Sequence, residues 1–270
     1  MFKQIVLLFL IIIVWMMISC SPERKLAKQF VDKTSKPNVL LLMPSFIFME
    51  DLKLSGLEND ESDTLSRTLV LDKIEDSVVI NRFRTIYINQ LERYGLFVYE
   101  EKTLNDFMKL DSNAWVVNIA QIELQEYETV FTDSQEFFGV IYSTDVFLNG
   151  LNSAFWFEFS QVNAPENNKP DIMFAANDLY DKYDGRYIYD IFSGQMKYNL
   201  EIDTLNVDDF YRQIDFSAKL YAGYTFDYLM NIYISSNIPD KNKKVNYYRY
   251  DPYRDSYYIT PEDKFIPLKE

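Results

Sequence analysis

Apolar residues follow two different periods along the chain, and the first part of the chain follows the helical one. A continuous apolar run from Asn38 to Met43 is typical of a strand that is buried on both faces. From Ser77 to Tyr94 apolar residues recur at helical spacing and Gly95 follows, which predicts a helix with a left-handed C-terminal residue. Leu96 to Tyr99 then predicts a second strand, and Thr103 to Leu110 predicts a short helix.

Beyond Ala114 the period changes to two, which is typical of strands with one wet face. Three rows alternate in this way, at Ala120 to Gln125, Val140 to Leu148 and Phe155 to Phe159. The stretch from Asn149 to Ser153 is predicted to connect the last two rows. We expect the rows to pair as antiparallel neighbours.

Two glycine turns and a long helix complete the pattern. Asp184-Gly185 and Ser193-Gly194 predict turns, and the second turn joins Arg186 to Phe192 with Gln195 to Ile202 in a hairpin. Val207 to Ile234 has apolar spacings of mostly three and four, as a long amphipathic helix does. This order predicts an α/β (α+β) fold, with a mixed, mostly antiparallel sheet, helices largely on one face and a long C-terminal amphipathic helix.

The amino terminus has the layout of a secretory signal. Lys3 precedes fourteen apolar residues that end at Ile18, which is fewer than the ~20 that a membrane-spanning helix needs. The segment Met17-Ile18-Ser19-Cys20 resembles the lipobox of bacterial lipoproteins. That resemblance implies that residues 1–19 are removed and that Cys20, the only cysteine, is acylated. An ordinary signal peptide with an incidental cysteine is the alternative.

The residues after the cysteine bear on location. In the lipoproteins that this segment resembles, aspartate after the cysteine signals retention in the inner membrane, and Ser21 stands there instead. The resemblance therefore implies an outer-membrane lipoprotein of the cell envelope that faces the periplasm and is anchored by acyl chains on Cys20, with exposure on the cell surface as the alternative orientation. Residues 20–37 carry five cations against two acids and are predicted to form a solvated tether, with adhesion to anionic headgroups as the alternative.

Charge and composition exclude several classes of function. The chain has 41 acidic residues and 27 cations, so nucleic acid is excluded as a partner. It has no histidine and one cysteine, which excludes histidine-based triads and zinc sites of histidine and thiolate. It lacks the glycine-rich loops that bind phosphates, so we expect no catalytic residue, metal or cofactor.

Carboxylates are the remaining source of chemistry. Glu123, Glu126 and Glu128 lie close together along one predicted strand, with Glu126 and Glu128 on one face and Glu123 on the other. We interpret them as a solvated sheet face, and a carboxylate pair for glycan hydrolysis is the alternative. A second acidic group precedes and follows Gly185, and its spacing is wrong for an EF-hand, so we interpret its members as turn residues. This group consists of Asp178, Asp181, Asp184 and Asp190.

Residues 38–236 are predicted to form a single α/β domain, and residues 237–270 a tail rich in tyrosine. We expect the tail tyrosines to pack over a sheet edge, and partner binding is the alternative for which they are candidates. They are Tyr247, Tyr248, Tyr250, Tyr253, Tyr257 and Tyr258.

The order of elements in residues 38–236 resembles that of periplasmic lipoproteins, and the resemblance is topological. The groups concerned are those of the curli-secretion lipoprotein, the amino-terminal domain of the Tol-Pal translocation protein and the lipoprotein activators of penicillin-binding proteins. It rests on the Asn38 to Met43 strand, the helix that ends at Tyr94-Gly95 and the Ser193-Gly194-Gln195 hairpin. It implies a non-enzymatic binding, scaffold or assembly protein with an envelope protein or glycan as partner. A carboxylate-dependent envelope enzyme such as a glycan hydrolase is the alternative.

Overall fold

A mixed sheet forms the centre of the molecule in a computed structural model, which describes residues 21–33, 36–53, 70–110, 113–162, 170–238, 246–260 and 266–267. The strands of these residues are β1 (Asn38–Leu42), β2 (Phe48–Asp51), β3 (Phe97–Tyr99), β4 (Ala114–Phe137), β5 (Val140–Gln161), β6 (Asp171–Tyr180), β7 (Lys182–Asp190), β8 (Gln195–Asp203), β9 (Tyr247–Asp251), β10 (Ser256–Thr260) and β11 (Ile266–Pro267). Their α-helices are α1 (Pro22–Asp32), α2 (Asp76–Arg93), α3 (Leu104–Phe107) and α4 (Val207–Asn237).

The central sheet has the order β11-β6-β5-β4-β1-β3, and β2 also pairs with β4. The strand β1 is parallel to β3 and β4, with Asn38 opposite Ala114, and β2 is parallel to β4. The pairs β4-β5, β5-β6 and β6-β11 are antiparallel, and β7-β8 and β9-β10 are separate antiparallel hairpins. The predicted fold class is therefore confirmed.

The main core lies between one face of this sheet and the helices α2 and α4. Phe83 and Tyr87 of α2 stack on each other, and Phe83 also stacks on Phe155 of β5. A smaller cluster covers the opposite face, where Phe107 of α3 packs with Leu40 of β1. Because side chains alternate along β1, its two faces contribute to different clusters.

The helix α4 continues past Ile234, the end of the predicted amphipathic helix, and its middle is buried on all sides. Asn206 caps it, because its side chain accepts hydrogen bonds from the backbone N–H groups of Asp208 and Asp209. Every residue from Tyr221 to Asn231 is buried. The side away from the sheet is buried because α1 and the hairpin β9-β10 pack there.

The residues predicted to form a solvated tether are folded, so that prediction is wrong for α1. Ser21 caps the helix by accepting a hydrogen bond from the N–H of Arg24. Ala27 and Phe30 are buried, and the Phe30 ring lies 5.4 Å from that of Phe226 on α4. The charge composition of this segment did not reveal the buried helix, because the cations occupy one face of α1 and the apolar residues the other.

Three local predictions for the strands were also wrong. Asn149 to Ser153 is not a connection, because β5 runs through it and pairs with β4 on one side and, from Gly150, with β6 on the other. Ala120 was predicted to share a face with Ile122, but it lies in a β-bulge and is exposed. Ile119 and Ile122 face the core instead. Asp184-Gly185 lies inside β7, while the predicted turn at Ser193-Gly194 joins β7 to β8.

Within the described ranges, none of the helices combines the length and the apolarity that a membrane span requires. Cys20 and the segment before it lie outside the described residues.

Candidate functional site

The strands β4 and β5 continue well past the rest of the sheet and form a projecting hairpin. The last residue of β2 pairs with Glu126, and the last residue of β6 pairs with Gly150. Beyond these points, β4 and β5 pair with each other as far as Phe137 and Val140. Ten residues of strand at ~3.3 Å per residue give a projection of about 33 Å.

The hairpin β7-β8 packs against this projection as a second layer, and we call residues 128–148 and 182–203 together the arm. The layers are joined through side chains. The hydroxyl of Tyr198 donates to Asp133 at 2.7 Å. Gln135 donates to the carbonyl of Gly185 at 2.9 Å and accepts from the N–H of Tyr187 at 3.2 Å. A Cβ atom on Gly185 would overlap the Tyr198 hydroxyl and displace that ring, so glycine serves the close approach of the two layers here and not a turn.

One buried carboxylate fixes the base of the arm. Asp181 precedes β7, and its two oxygens accept hydrogen bonds from the N–H of Asn149 at 2.8 Å and the N–H of Leu205 at 2.6 Å. Asn149 belongs to β5, and Leu205 follows β8. Asp181 therefore holds both ends of the β7-β8 hairpin at the point where β5 leaves the sheet.

The first tip of the arm is a two-residue turn with an unusual residue in it. Phe137 pairs with Val140, so Phe138 and Gly139 form the turn, with φ of 52° and 81°. Positive φ at both positions favours Asn-Gly, and a phenylalanine there costs on the order of 1 kcal/mol. The Phe138 side chain has 106% of its reference exposure, so the other described residues bury none of it and burial does not offset this cost.

The second tip, residues 191–194, joins β7 to β8 and is also apolar. Ile191 is 83% exposed and Phe192 is 103% exposed. Asp190 orders this loop by accepting from the N–H groups of Phe192 and Ser193. The ion pair with Lys197, together with these hydrogen bonds, lowers the pKa of Asp190 to about 2. These contacts with Asp190 hold the loop in a defined turn that presents both apolar side chains.

A pocket of 330 Å³ lies between the two tips. Its lining is mostly aromatic and aliphatic, and consists of Phe137, Phe138, Val140, Tyr142, Tyr189, Gly194 and Met196. The arm as a whole carries three cations against eight acids. The tip is thus an exposed apolar surface on an acidic support.

The tail tyrosines do not form one common surface. Tyr248 is buried, and its hydroxyl is 2.9 Å from that of Ser21. Tyr247, Tyr250 and Tyr257 are partly buried, and Tyr253 and Tyr258 are exposed. The prediction of intramolecular packing placed the tail over a sheet edge. The hairpin β9-β10 packs on α4 instead.

The predicted carboxylate groups have separate structural contacts. Glu126 is buried, pairs with Lys53 at 2.6 Å and accepts from the N–H of Leu71. Glu123 accepts from Gln125, and Glu128 is exposed where the arm begins. Glu126 therefore holds Lys53 and Leu71, which come from neighbouring segments, in place.

The four aspartates around Gly185 are likewise dispersed. Asp178 accepts from Tyr127 and Asn152, Asp184 lies within β7, and Asp181 and Asp190 hold the base and a tip of the arm. In the part of the chain that the structure describes, no group of three or more acidic or cysteine side chains is arranged to hold a metal.

The sequence pattern predicted the turn at Ser193-Gly194, but not the projection of the arm or the exposed apolar side chains at its tips. The available signal was the position of bulky apolar residues in the turns, since Phe138-Gly139 and Ile191-Phe192 occupy places where polar residues are usual. In comparisons with known proteins, no protein-family model matches this chain, and no curated protein is significantly similar to it in sequence.

Proposed function

We propose that this chain is a non-enzymatic envelope lipoprotein, anchored in the outer membrane through Cys20 and facing the periplasm, and that its arm binds a protein partner. The observation that carries the proposal is the pair of fully exposed phenylalanines at the arm tip, Phe138 and Phe192. Phe138 is held there in a backbone conformation that costs energy. Strain at an exposed aromatic residue that contributes nothing to the core is typical of a functional surface.

The proposed anchor and the proposed binding surface lie at opposite ends of the molecule. The strand β4 starts beside α4, where the Trp115 ring lies 5.9 Å from that of Tyr228. The helix α1 packs on the same end of α4, where Phe30 contacts Tyr233. From Trp115 to Phe137, β4 runs away from this end over roughly 70 Å of strand, at ~3.3 Å per residue. A chain anchored next to Ser21 would hold its tip far from the attachment point.

The charge and chemistry of the tip favour a protein over the other ligands. An arm with eight acids and three cations is repelled by an anionic bilayer. A glycan surface needs hydrogen-bonding groups around an aromatic platform, whereas Ile191, Val140 and Ile141 add aliphatic surface here. Aromatic and aliphatic residues at the centre of a patch with a polar surround are typical of protein interfaces.

Photo-crosslinking in the native envelope tests this proposal. A photoreactive phenylalanine analogue replaces Phe138 or Phe192, and in matched controls it replaces Phe97 or Phe216, which are exposed on β3 and α4. We expect one discrete protein adduct from the two tip positions, in at least ~10-fold excess over the controls. Equal yields from all four positions, or none from the tip, would refute partner binding by the arm.

A further inference from the structure

A groove of 690 Å³ lies at the end of the molecule opposite the arm tip. The first turns of α1 form one wall, and Asp255 and Tyr257 of the tail hairpin contribute to the other. Three cations of α1, namely Arg24, Lys25 and Lys28, line it. The groove therefore has three positive charges against one carboxylate.

These three cations differ from the other two in residues 20–37. Lys33 lies over the ring of Tyr233, and Lys36 donates to the carbonyl of Tyr94 and lies over Phe226. Arg24, Lys25 and Lys28 are exposed, and none of them forms an ion pair with another of the described residues. Over the described ranges, their charges are therefore exposed to solvent and are not neutralised in ion pairs.

The position of the groove in the chain adds a geometric constraint. Ser21 directly follows Cys20, caps α1 and is hydrogen-bonded to Tyr248. The folded body thus begins one residue after the proposed acylated residue, and no linker residues separate the two. Any bilayer that holds acyl chains at Cys20 lies within reach of the first turns of α1.

We infer that this groove binds the anionic headgroups of the lipids around the anchor, so that α1 lies against the membrane surface. The inference rests on the proposed acylation of Cys20. Each cation near an anionic surface contributes roughly fivefold in affinity, so three of them contribute roughly 100-fold. The acidic arm is repelled by the same surface, which orients the tip away from the membrane.

Lysine footprinting of the processed full-length protein tests this inference. The protein is reconstituted in vesicles of phosphatidylcholine alone or of phosphatidylcholine with phosphatidylglycerol, and the acetylation rate of each lysine is measured by mass spectrometry. We expect the anionic lipid to slow acetylation of Lys25 and Lys28 at least ~5-fold, and high salt to reverse the effect. Lys102 and Lys219, exposed on other surfaces, serve as internal controls and keep their rates.

Two charge-reversal variants distinguish binding of headgroups in the groove from a general effect of lying near the membrane. Arg24→Glu should remove most of the protection of Lys25 and Lys28, while Arg212→Glu, an equal change of charge at an exposed position of α4, should preserve it. The mass of the amino-terminal peptide reports acylation in the same experiment. An acylated protein whose Lys25 and Lys28 react equally in both vesicles overturns the docking and leaves the anchor standing, whereas an unacylated amino terminus overturns both.

Discussion

The side-chain amide of Asn231 hydrogen-bonds both backbone groups of Tyr248. Its Oδ1 atom accepts from the Tyr248 N–H at 2.9 Å, and its Nδ2 atom donates to the Tyr248 carbonyl at 2.7 Å. One turn earlier on α4, Asp227 accepts from the N–H of Tyr250 and pairs with Arg249 at 3.0 Å. Two side chains of a helix thus take the place of a neighbouring strand for β9, and the tail is fixed to the body.

Asn231→Ala tests the attachment of the tail. The substitution leaves a buried N–H and a buried carbonyl of Tyr248 without partners, so we expect unfolding to require about 2–4 kcal/mol less free energy. Urea denaturation measures this loss, and Ser236→Ala, at an exposed position on the same helix, should stay within ~0.5 kcal/mol of the wild type. An unchanged urea midpoint for Asn231→Ala would contradict the attachment.

The base of the arm makes an equally specific prediction. Asp181→Ala removes the charged acceptor of two backbone N–H groups, and we expect it to destabilise the arm by about 3 kcal/mol. Hydrogen exchange should accelerate in β7 and β8, while exchange in α2 stays as in the wild type. Asp184→Ala changes an exposed carboxylate three residues further on and is the matched control. Equal exchange in the two variants would show that Asp181 does not hold the hairpin.

Buried tyrosines predict how stability depends on alkaline pH. Burial, with the nearby charge of Asp227, raises the pKa of Tyr94 to about 12, and burial also raises the pKa of Tyr87, Tyr221 and Tyr228. In the unfolded chain these phenols ionise near 10. The neutral buried phenols therefore make their full contribution to the free energy of unfolding below pH 10. This contribution is lost as the pH rises toward 12, because the unfolded chain releases its phenol protons at lower pH than the folded chain does.

Phenolate absorbance and helical circular dichroism, followed together from pH 9 upward, check this expectation. We expect part of the phenolate absorbance to develop in one step with the loss of the helical signal, because these rings ionise as the chain unfolds. Complete phenolate formation with an unchanged helical signal would contradict it.

The anchor is tested at Cys20. In the lipoproteins that the amino terminus resembles, acylation of the thiol precedes cleavage, so Cys20→Ala should take up no fatty-acid label and accumulate as an uncleaved precursor. Metabolic labelling with a fatty-acid analogue, with Ser19→Ala as a control that retains the thiol, measures both effects. A wild-type protein without label would contradict the lipoprotein assignment.

The periodic parts of the chain were predictable, and the parts shaped by long-range packing were not. The helices α2 and α4 and the strand β1 follow from apolar spacing and from Gly95, whose φ of 81° confirms the left-handed position. The segment from Asn149 to Ser153, in which all residues except Leu151 are small or polar, resembles a turn in isolation, but pairing on both sides makes it a strand. Gly185 resembles a turn residue because nothing local reveals that Tyr198 occupies the space beside it.

The candidate site was hidden for a related reason. A row of alternating residues such as Val140 to Leu148 indicates a strand but does not show whether the strand lies in the sheet or projects from it. Likewise, the cations of α1 predicted a tether because charge composition does not show that Ala27 and Phe30 are buried against α4. Both features depend on contacts between residues distant in the chain.

The central claim is that Phe138 and Phe192 form one binding surface, and the yield of adduct from a photoreactive group at position 192 in a Phe138→Asn background tests it most directly. Asparagine suits the positive φ of this turn, so the variant should unfold at the same temperature as the wild type or higher. We predict that its adduct yield falls at least ~10-fold, because a central aromatic residue of the interface is lost. A yield equal to that of the wild-type background, in a variant that is equally stable, would contradict the account.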